Sequence, residues 1–340
     1  KAQVISTIEE QGKLTEERRS QILAAETQVA VEDLYRPYRP KRRTRATIAK
    51  EKGLEPLAAY IMLQRAKEPL EETAKEYISE EKEVKTAEEA IQGAADIIAE
   101  SISDNADYRS WIRNATMKKG KVISAAKDPE AESVYEMYYE FEEPVSKLAG
   151  HRIHALNRGA KEKFLTVKVE APEEDILRYL EKKVIHTDNP YTTPLLRETA
   201  ADSYQRLIAP AIEREIRNEL TEKAEDGAIE VFGKNLHQLL MQQPIAGKVV
   251  LGWDPAFRTG CKLAVVDPTG KVIGTTVIYP TAPTTPQKIK ASKDLLKKII
   301  PKYHISLISL GNGTASRESE LFIVELLKEI PEEKVQYVIV

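Results

Sequence analysis

Hydrophobic residues recur at intervals near 3.6 over the first two-thirds of the chain, and that spacing predicts helices. Ile5, Ile8, Ile22 and Val29 begin the series, and stretches rich in alanine, glutamate and lysine continue it. Within this part only residues 164–169 alternate and are β-branched, which predicts a short strand among helices. Breaks between helices are predicted at Gly12, 37–45, Gly53, Pro69, near Gly120 and near Asp226-Gly227.

The pattern changes after residues 243–247, which read as a linker. Short apolar runs at 249–253, 263–267 and 272–279 predict strands, and their tight turns favour an antiparallel meander because parallel strands need a crossover. Helices and strands then alternate, with helices over 286–300 and 314–329 and strands over 305–310 and 335–340. The order βββ-αβ-αβ is that of an α/β ribonuclease H-like fold and differs from a doubly wound nucleotide-binding order.

A length of 340 residues predicts two or three domains. The change of pattern divides the chain into a mainly α-helical region, 1–243, and an α/β domain, 244–340. Hydrophobic residues at 41% allow a buried core, and charged residues at 31% indicate a well-solvated surface. The chain begins at Lys1 without methionine and ends on an apolar stretch, so a fragment cut at both ends is expected.

Several classes of protein are excluded by composition. No run approaches the roughly 18 apolar residues of a membrane helix. A single cysteine, Cys261, excludes a disulfide framework and cysteine-based zinc modules, and its place beside a predicted strand indicates a packing role. With no basic-then-apolar leader, a soluble cytoplasmic protein without membrane partners is expected.

The charge is balanced overall but distributed unevenly. The formal net charge is −3, yet residues 34–50, here called the basic segment, contain no acidic residue. Its seven basic residues leave −10 for the other 323 positions, so a near-neutral total conceals a strongly cationic stretch. The basic residues are Arg36, Arg39, Lys41, Arg42, Arg43, Arg45 and Lys50.

Binding of phosphate is one interpretation of the basic segment. Pro37 and Pro40 disfavour helix and predict an extended stretch from which the basic side chains fan out. Arginine offers forked donors for phosphate, and Tyr35 and Tyr38 can stack on exposed bases. The alternative is a solvated loop whose arginines pair with acidic helices nearby, such as the one carrying Glu32 and Asp33.

A carboxylate at the end of the first strand of the α/β domain suggests a nuclease-like position. Asp254 leaves this strand before a turn, where ribonuclease H-like enzymes hold Mg²⁺ with three or four carboxylates. After the strand at 305–310, however, the chain reads Gly311-Asn312-Gly313, without an acid. We therefore expect no catalytic residue, with Asp254 the first metal ligand if a nuclease is present after all.

The Gly-rich turn at 311–318 joins a strand to a helix. Its glycines permit close backbone approach, and the following helix N-terminus can hold an anion; the alternative is an ordinary turn capped by Thr314 or Asn312. With the first-strand turn it would form one polar cleft at the C-terminal edge of the sheet. The predicted cleft residues are Asp254, Arg258, Asn312, Ser316, Arg317 and Glu318.

His151 and His154 are three apart and would share one helix face, but a third metal ligand is missing from the sequence. Their basic neighbours Arg152, Arg158 and Lys161 make phosphate contact the better interpretation. No P-loop, HExxH or GxSxG pattern occurs, so P-loop hydrolases, zincins and α/β-hydrolases are excluded.

Five stretches resemble the Tex family of bacterial transcription accessory proteins. They follow the family order along essentially the whole chain, and the first is highly specific. One departure is Ala256, where the family usually has glycine after Asp-Pro. The stretches are 31–47 (VEDLYRPYRPKRRTRAT), 49–57 (AKEKGLEPL), 151–159 (HRIHALNRG), 254–260 (DPAFRTG) and 311–318 (GNGTASRE).

The resemblance implies a helical region with a helix-turn-helix-like part over 1–243, lacking its start, and a ribonuclease H-like YqgF domain over 244–340, cut short at its end. In the family, helix-hairpin-helix elements and an RNA-binding OB-fold domain follow, and the OB-fold is thought to dominate binding. The family is regarded as nucleic-acid-binding rather than catalytic, and the single acid at Asp254 agrees with a degenerate nuclease site.

The leading hypothesis is therefore a non-enzymatic nucleic-acid-binding scaffold, with RNA or DNA and the transcription machinery as partners and no cofactor. Its predicted contacts are Tyr35, Arg36, Tyr38, Arg39, Lys41, Arg42, Arg43, Arg45, Arg152, Arg158 and Lys161. A Mg²⁺-dependent nuclease or resolvase using Asp254 is the first alternative. A protein-interaction platform, in which the basic segment docks on acidic partners, is the second.

Overall fold

An alanine-rich face on one helix organises the larger part of the structure. In the computed structural model, which describes residues 1–40, 43–243 and 245–340, helix α7 spans Ala87–Ser103. Its residues Ala90, Ala94 and Ile98 recur every four positions and are buried, so neighbouring helices approach closely. The chain divides into two compact units, Lys1–Asn235 and Leu236–Val340, which we call unit 1 and unit 2.

Unit 1 is mostly helical. The segments Ser203–Ile208 and Arg36–Tyr38 form a π-helix and a 3-10 helix. Among the described residues, no helix is both long and apolar enough to span a bilayer. The α-helices are α1 Ala2–Glu10, α2 Glu16–Ala24, α3 Gln28–Tyr35, α4 Arg45–Glu51, α5 Glu55–Met62, α6 Leu70–Ala74, α7, α8 Ala106–Lys119, α9 Gly150–Lys161, α10 Glu173–Val184, α11 Thr193–Asp202 and α12 Ala209–Leu240.

A small antiparallel sheet lies among these helices. Its strands β1 (Lys121–Ala126), β2 (Glu140–Pro144) and β3 (Leu165–Glu170) are arranged in the order β2-β1-β3. The strand predicted at 164–169 is confirmed as β3, but β1 and β2 were not predicted. Their sequences, KVISAA and EFEEP, are too short and too mixed in polarity to show a clear alternation.

Unit 1 contains two separate hydrophobic cores. The larger surrounds α7 and extends to the three-stranded sheet, whereas a small one joins α1, α2 and α3 through Ile8, Ile22 and Val31. The first three helices therefore depend on other contacts for their attachment to the rest of unit 1.

Unit 2 confirms the predicted βββ-αβ-αβ order. Its sheet has the order β6-β5-β4-β7-β8, in which β7 runs parallel to both of its neighbours and the other pairs are antiparallel. One face carries Leu251, Trp253 and Leu263 and packs against the two helices. The elements are β4 Val249–Asp254, β5 Cys261–Val266, β6 Val272–Ile278, α13 Pro286–Tyr303, β7 Ile305–Leu310, α14 Ser316–Glu329 and β8 Gln336–Ile339.

Two local predictions for the helical region were wrong. The stretch after Tyr35 is not fully extended, because Pro37 sits in the first turn of the 3-10 helix, where its fixed φ fits and no backbone donor is needed. The interruption near Asp226-Gly227 does not occur, since α12 passes through it. One glycine costs a helix only about 1 kcal/mol, too little to end a long one.

Replacing Gly227 by alanine is expected to raise the free energy of unfolding by about 0.5–1 kcal/mol. A Cβ there would meet no atom within 4 Å. Gly120→Ala is expected to lower the free energy of unfolding, because the added Cβ would lie 2.9 Å from the carbonyl oxygen of Glu170. Urea unfolding followed by circular dichroism measures both, and a destabilised Gly227→Ala variant would contradict the prediction.

Candidate nucleic-acid interface

The basic segment connects two capped helices. The hydroxyl of Thr27 accepts a hydrogen bond from the amide of Ala30 and caps α3. Thr44 and Thr47 form a reciprocal capping box that starts α4, with oxygen–nitrogen distances of 3.1 and 2.7 Å. The capping box therefore marks where the stretch between the two helices ends, whereas Thr27 lies at the far end of α3.

The two tyrosines of the basic segment face the protein. Tyr35 and Tyr38 are half-buried and pack against the small core of Ile8, Ile22 and Val31. The guanidinium of Arg18 lies 4.8 Å from the ring centroid of Tyr38. Two roles were predicted for these tyrosines, packing and stacking on a base. These contacts are packing contacts.

The arginines of the basic segment differ in their surroundings. Arg36 Nε is buried and lies 3.3 Å from Asp104 Oδ1, without the alignment of a hydrogen bond, although 37% of the Arg36 side chain is exposed. Arg43 Nη2 lies 3.3 Å from Glu51 Oε2, but these side chains are 72% and 61% exposed. Arg36 is therefore part of the folded structure, whereas Arg43 remains accessible.

Arg39 and Arg45 are exposed. Arg45 belongs to a group of charges with Asp202: the hydrogen bond from Arg206 lowers the pKa of Asp202, and the charge of Arg45 lowers it further. Lys50 pairs with Glu55 at 3.6 Å. The predicted contacts Lys41 and Arg42 lie outside the described residues.

A cleft of about 930 Å³ lies beside the basic segment. Tyr35, Arg36 and Arg39 line it together with acidic residues, which include Asp104 and Glu215. These carboxylates disfavour an anion inside the cleft.

A buried network of two arginines and two carboxylates fixes the position of α3. Arg109 Nε donates to Asp33 Oδ1 at 2.5 Å, and its Nη2 donates to Glu215 Oε1 at 2.6 Å. Arg113 Nη2 lies 2.7 Å from oxygens of both carboxylates. The network joins α3, α8 and α12, and Arg109 is completely buried.

Sequence reasoning did not identify this network. Burial alone would lower the pKa of Arg113, but the charges and hydrogen bonds of Asp33 and Glu215 outweigh it and raise that pKa above its ordinary value. The one available signal was the pair of arginines four apart, which share one face of α8. Their partners are far away in the sequence, so spacing could not reveal them.

The second predicted group of basic residues lies on α9. Arg152 Nη1 pairs with Glu143 Oε2 at 2.5 Å, while Arg158 and Lys161 are at the exposed end of the helix. His151 is exposed, whereas the Nε2 of His154 is buried and has no hydrogen-bond partner within the described part of the chain. α9 therefore contributes fewer accessible cations than the basic segment.

In unit 2, Asp254 lies at the end of β4 beside the turn that follows β7. The amide of Gly311 donates to the carbonyl oxygen of Trp253 at 2.9 Å, which brings the two strand ends together. The Asp254 side chain is 73% exposed, and its Oδ2 lies 4.0 Å from Lys262 Nζ. Next to it is an open groove of about 640 Å³, lined in part by Gly252, Ala264 and Thr275.

The other predicted cleft residues are placed differently. Arg258, Asn312, Arg317 and Glu318 are exposed and Ser316 is buried, and none of them lines the groove beside Asp254. α14 begins at Ser316 without a side-chain cap, so neither Thr314 nor Asn312 caps it. Cys261 is buried in the unit 2 core, with its sulfur 3.7 Å from Ser319 Oγ.

Carboxylates do not gather around Asp254. Across residues 1–40, 43–243 and 245–340, no group of three or more His, Cys, Asp or Glu side chains could hold a metal ion. The first acid after β7, Glu318, lies within α14. The donors present do not fit the two-metal arrangement, which needs at least three carboxylates.

Sequence comparison finds two family models. One, described as "Tex protein YqgF-like domain", matches residues 248–340, and the other, "Tex central region-like", matches residues 64–232. Together they account for most of the chain, in the order in which its two units occur.

Curated relatives carry related names. "Uncharacterized protein YdcI" of Bacillus subtilis is 53% identical over 343 residues, which cover 100% of this chain and 47% of the relative. "Protein tex" of Bordetella pertussis is 37% identical, covering 97% of this chain and 43% of the relative. "Transcriptional accessory protein Tex" of Neisseria gonorrhoeae is 34% identical, covering 100% and 45%. The chain therefore spans less than half the length of these relatives.

Arg109→Met is expected to lower the free energy of unfolding by about 3 kcal/mol, because it leaves the buried Asp33 and the partly buried Glu215 with one cation between them. Lys223→Met is the matched control: it breaks an exposed pair with Glu219, and a loss below about 1 kcal/mol is expected. Urea midpoints compare the two variants. Equal losses would show that the buried network does not hold α3.

Proposed function

The chain belongs to the Tex family, and from this we propose that it is the nucleic-acid-binding part of a cytoplasmic transcription accessory protein, acting as a scaffold rather than an enzyme. The exposed cations of the basic segment, Arg39, Arg43 and Arg45, form the phosphate-binding surface. The observation that carries the proposal is the concentration of seven basic residues and no acidic one within residues 34–50.

The exposed ion pairs support this surface. Arg43 and Glu51 are both more than half exposed, and such pairs contribute only about 0–1 kcal/mol. A phosphate group that replaces Glu51 therefore displaces a weak interaction. Arg39 and Arg45 are also exposed, so three cations on one short stretch are accessible to a nucleic-acid backbone.

Arg36 has a different role in the proposal. Its Nε is buried beside Asp104, whose side chain is 12% exposed, so this part of Arg36 faces the protein. Arg36 therefore positions the segment, while Arg39, Arg43 and Arg45 meet phosphate.

The scaffold part of the proposal rests on unit 2. Asp254 occupies the first-ligand position of a nuclease-like sheet, but Asn312 follows β7 where a second carboxylate would be needed. Lys262, 4.0 Å from Asp254, already provides a counter-charge. A nuclease that uses Asp254 remains the second candidate, favoured by the position of that carboxylate at the strand end.

Replacing Arg39, Arg43 and Arg45 together by glutamine is expected to weaken binding of single-stranded RNA and to reduce the salt dependence. Each phosphate contact on a single strand contributes about 0.7 to the slope of log affinity against log salt, so three contacts contribute about 2. Fluorescence anisotropy with a labelled oligonucleotide between 50 and 200 mM salt measures the slope.

The matched control replaces Arg214, Lys223 and Lys234, which are cations of α12, by glutamine. It changes the net charge equally and should leave the slope within about 0.5 of the parent value. If both triple variants change the slope equally, net charge and not the basic segment determines binding. If neither triple variant changes the slope, the result favours the protein-interaction alternative, and an acidic protein becomes the expected partner.

When the chain is incubated with labelled RNA or DNA and Mg²⁺ or Mn²⁺, we expect it to cleave no more of the nucleic acid than the Asp254→Asn variant does. Asp254 is exposed, so this substitution should leave folding and oligonucleotide binding unchanged. Cleavage that requires the divalent ion and disappears in Asp254→Asn would replace the scaffold proposal with the nuclease one.

A further inference from the structure

An aromatic stack on unit 1 ends in solvent. The rings of Trp111 on α8 and Tyr179 on α10 are parallel within 4°, with centroids 3.8 Å apart. Tyr108 meets the Tyr179 ring edge-on at 6.1 Å. Both tyrosines pack against the main core, but Trp111 is 37% exposed. The stack is therefore anchored by its tyrosines and presents the indole at the surface.

The geometry of the indole suits a flat ligand. Tyr179 covers one face of Trp111, and the exposed fraction of Trp111 leaves surface for a second ring to stack upon. Nucleobases stack on such exposed aromatic rings in single-stranded nucleic-acid binding, whatever their sequence, because every base has a π-face. The other tryptophan, Trp253, is 2% exposed and lies in the unit 2 core.

Cations lie around the stack. Lys183 Nζ is 5.8 Å from the centroid of Tyr179, and Arg178, the residue before Tyr179, has a side chain that is 78% exposed. Lys182 is also exposed, in the last turn of α10. Lys119 is excluded from this group, because its Nζ donates to Asp175 at 2.6 Å, whereas Arg178 Nη1 lies 4.0 Å from the same carboxylate. The accessible cations near Tyr179 are thus positioned for the phosphates of a strand whose base stacks on Trp111.

The stack is separate from the basic segment. Trp111 follows Arg109 by two residues, which corresponds to about 200° around an α-helix. Since Arg109 binds Asp33 on α3, Trp111 lies on the opposite side of α8 from that helix. The two surfaces therefore contribute independently and can be tested independently.

We propose that Trp111 is a stacking platform for a base of single-stranded RNA or DNA, with Arg178, Lys182 and Lys183 beside it for phosphate. This inference rests on the proposed function, since it adds a second contact to nucleic-acid binding by unit 1. Stacking contributes affinity that does not depend on salt, whereas the basic segment and the three cations beside Trp111 contribute the salt-dependent part.

The test uses the two-tryptophan content of the chain. In the variant Trp253→Phe the remaining tryptophan is Trp111. Titration with unlabelled oligouridylate should quench its fluorescence. The midpoint of that quenching should equal the midpoint of binding measured by anisotropy with a labelled oligonucleotide. In the otherwise unchanged chain, Trp111→Ala should weaken binding by about tenfold without altering the salt slope. Trp111→Phe keeps an aromatic ring and should weaken it by less than about threefold.

The outcomes separate the two proposals. One outcome is that anisotropy shows salt-dependent binding, while Trp111 fluorescence is not quenched and Trp111→Ala binds with the affinity of the parent chain. This outcome would overturn the stacking platform and leave the proposed function standing. Absence of binding at 50 mM salt would overturn both. If circular dichroism shows that Trp111→Ala is unfolded, Trp111→Phe and the quenching experiment decide, because neither removes the aromatic ring at position 111.

Discussion

Arg109 is the residue on which the arrangement of unit 1 depends. Its guanidinium is completely buried and binds Asp33 and Glu215, so one side chain of α8 connects α3 with α12. Transfer of such a charge from water costs several kcal/mol unless partners of opposite sign are in place. The small core of α1, α2 and α3 is separate from the main core, and the network supplies the specific connection between them.

Both proposed contact surfaces are positioned by that connection. α3 leads directly into the basic segment, and the face of α8 opposite Arg109 carries Trp111. A helix held rigidly on one side by buried ion pairs presents its other side in a fixed orientation. Within the basic segment, Tyr35 and Tyr38 pack against the small core of Ile8, Ile22 and Val31, and the capping box of Thr44 and Thr47 starts α4.

The local charge of the basic segment decides its interactions more than the net charge of −3 does. At physiological salt, charges are screened over about 8 Å, so a distant excess of acidic residues does not cancel a cationic stretch. Acidic residues that are close do matter. Asp104 lies beside the buried Nε of Arg36, whereas the exposed Glu51 holds Arg43 only weakly, so the two arginines differ in their surroundings although the sequence presents them alike.

Periodicity predicted the elements whose signal is local. The strands and helices of unit 2 follow from short apolar runs and turns, and β3 follows from its alternation. β1 and β2 were not predicted because they are short, and the Arg109 network was not predicted because its members come from three helices that are distant in the sequence. At the candidate site, the arginines of the basic segment were predictable from composition. The partner of each one, and the Trp111–Tyr179 stack, depend on tertiary contacts that no spacing reveals.

Hydrogen–deuterium exchange of the chain with and without a single-stranded oligonucleotide tests the central claim most directly. Binding through the basic segment and the Trp111 platform predicts slower exchange at residues 36–45 and 108–113, with little change in unit 2. Protection confined to Leu236–Val340, with residues 36–45 exchanging as in the free protein, would contradict it.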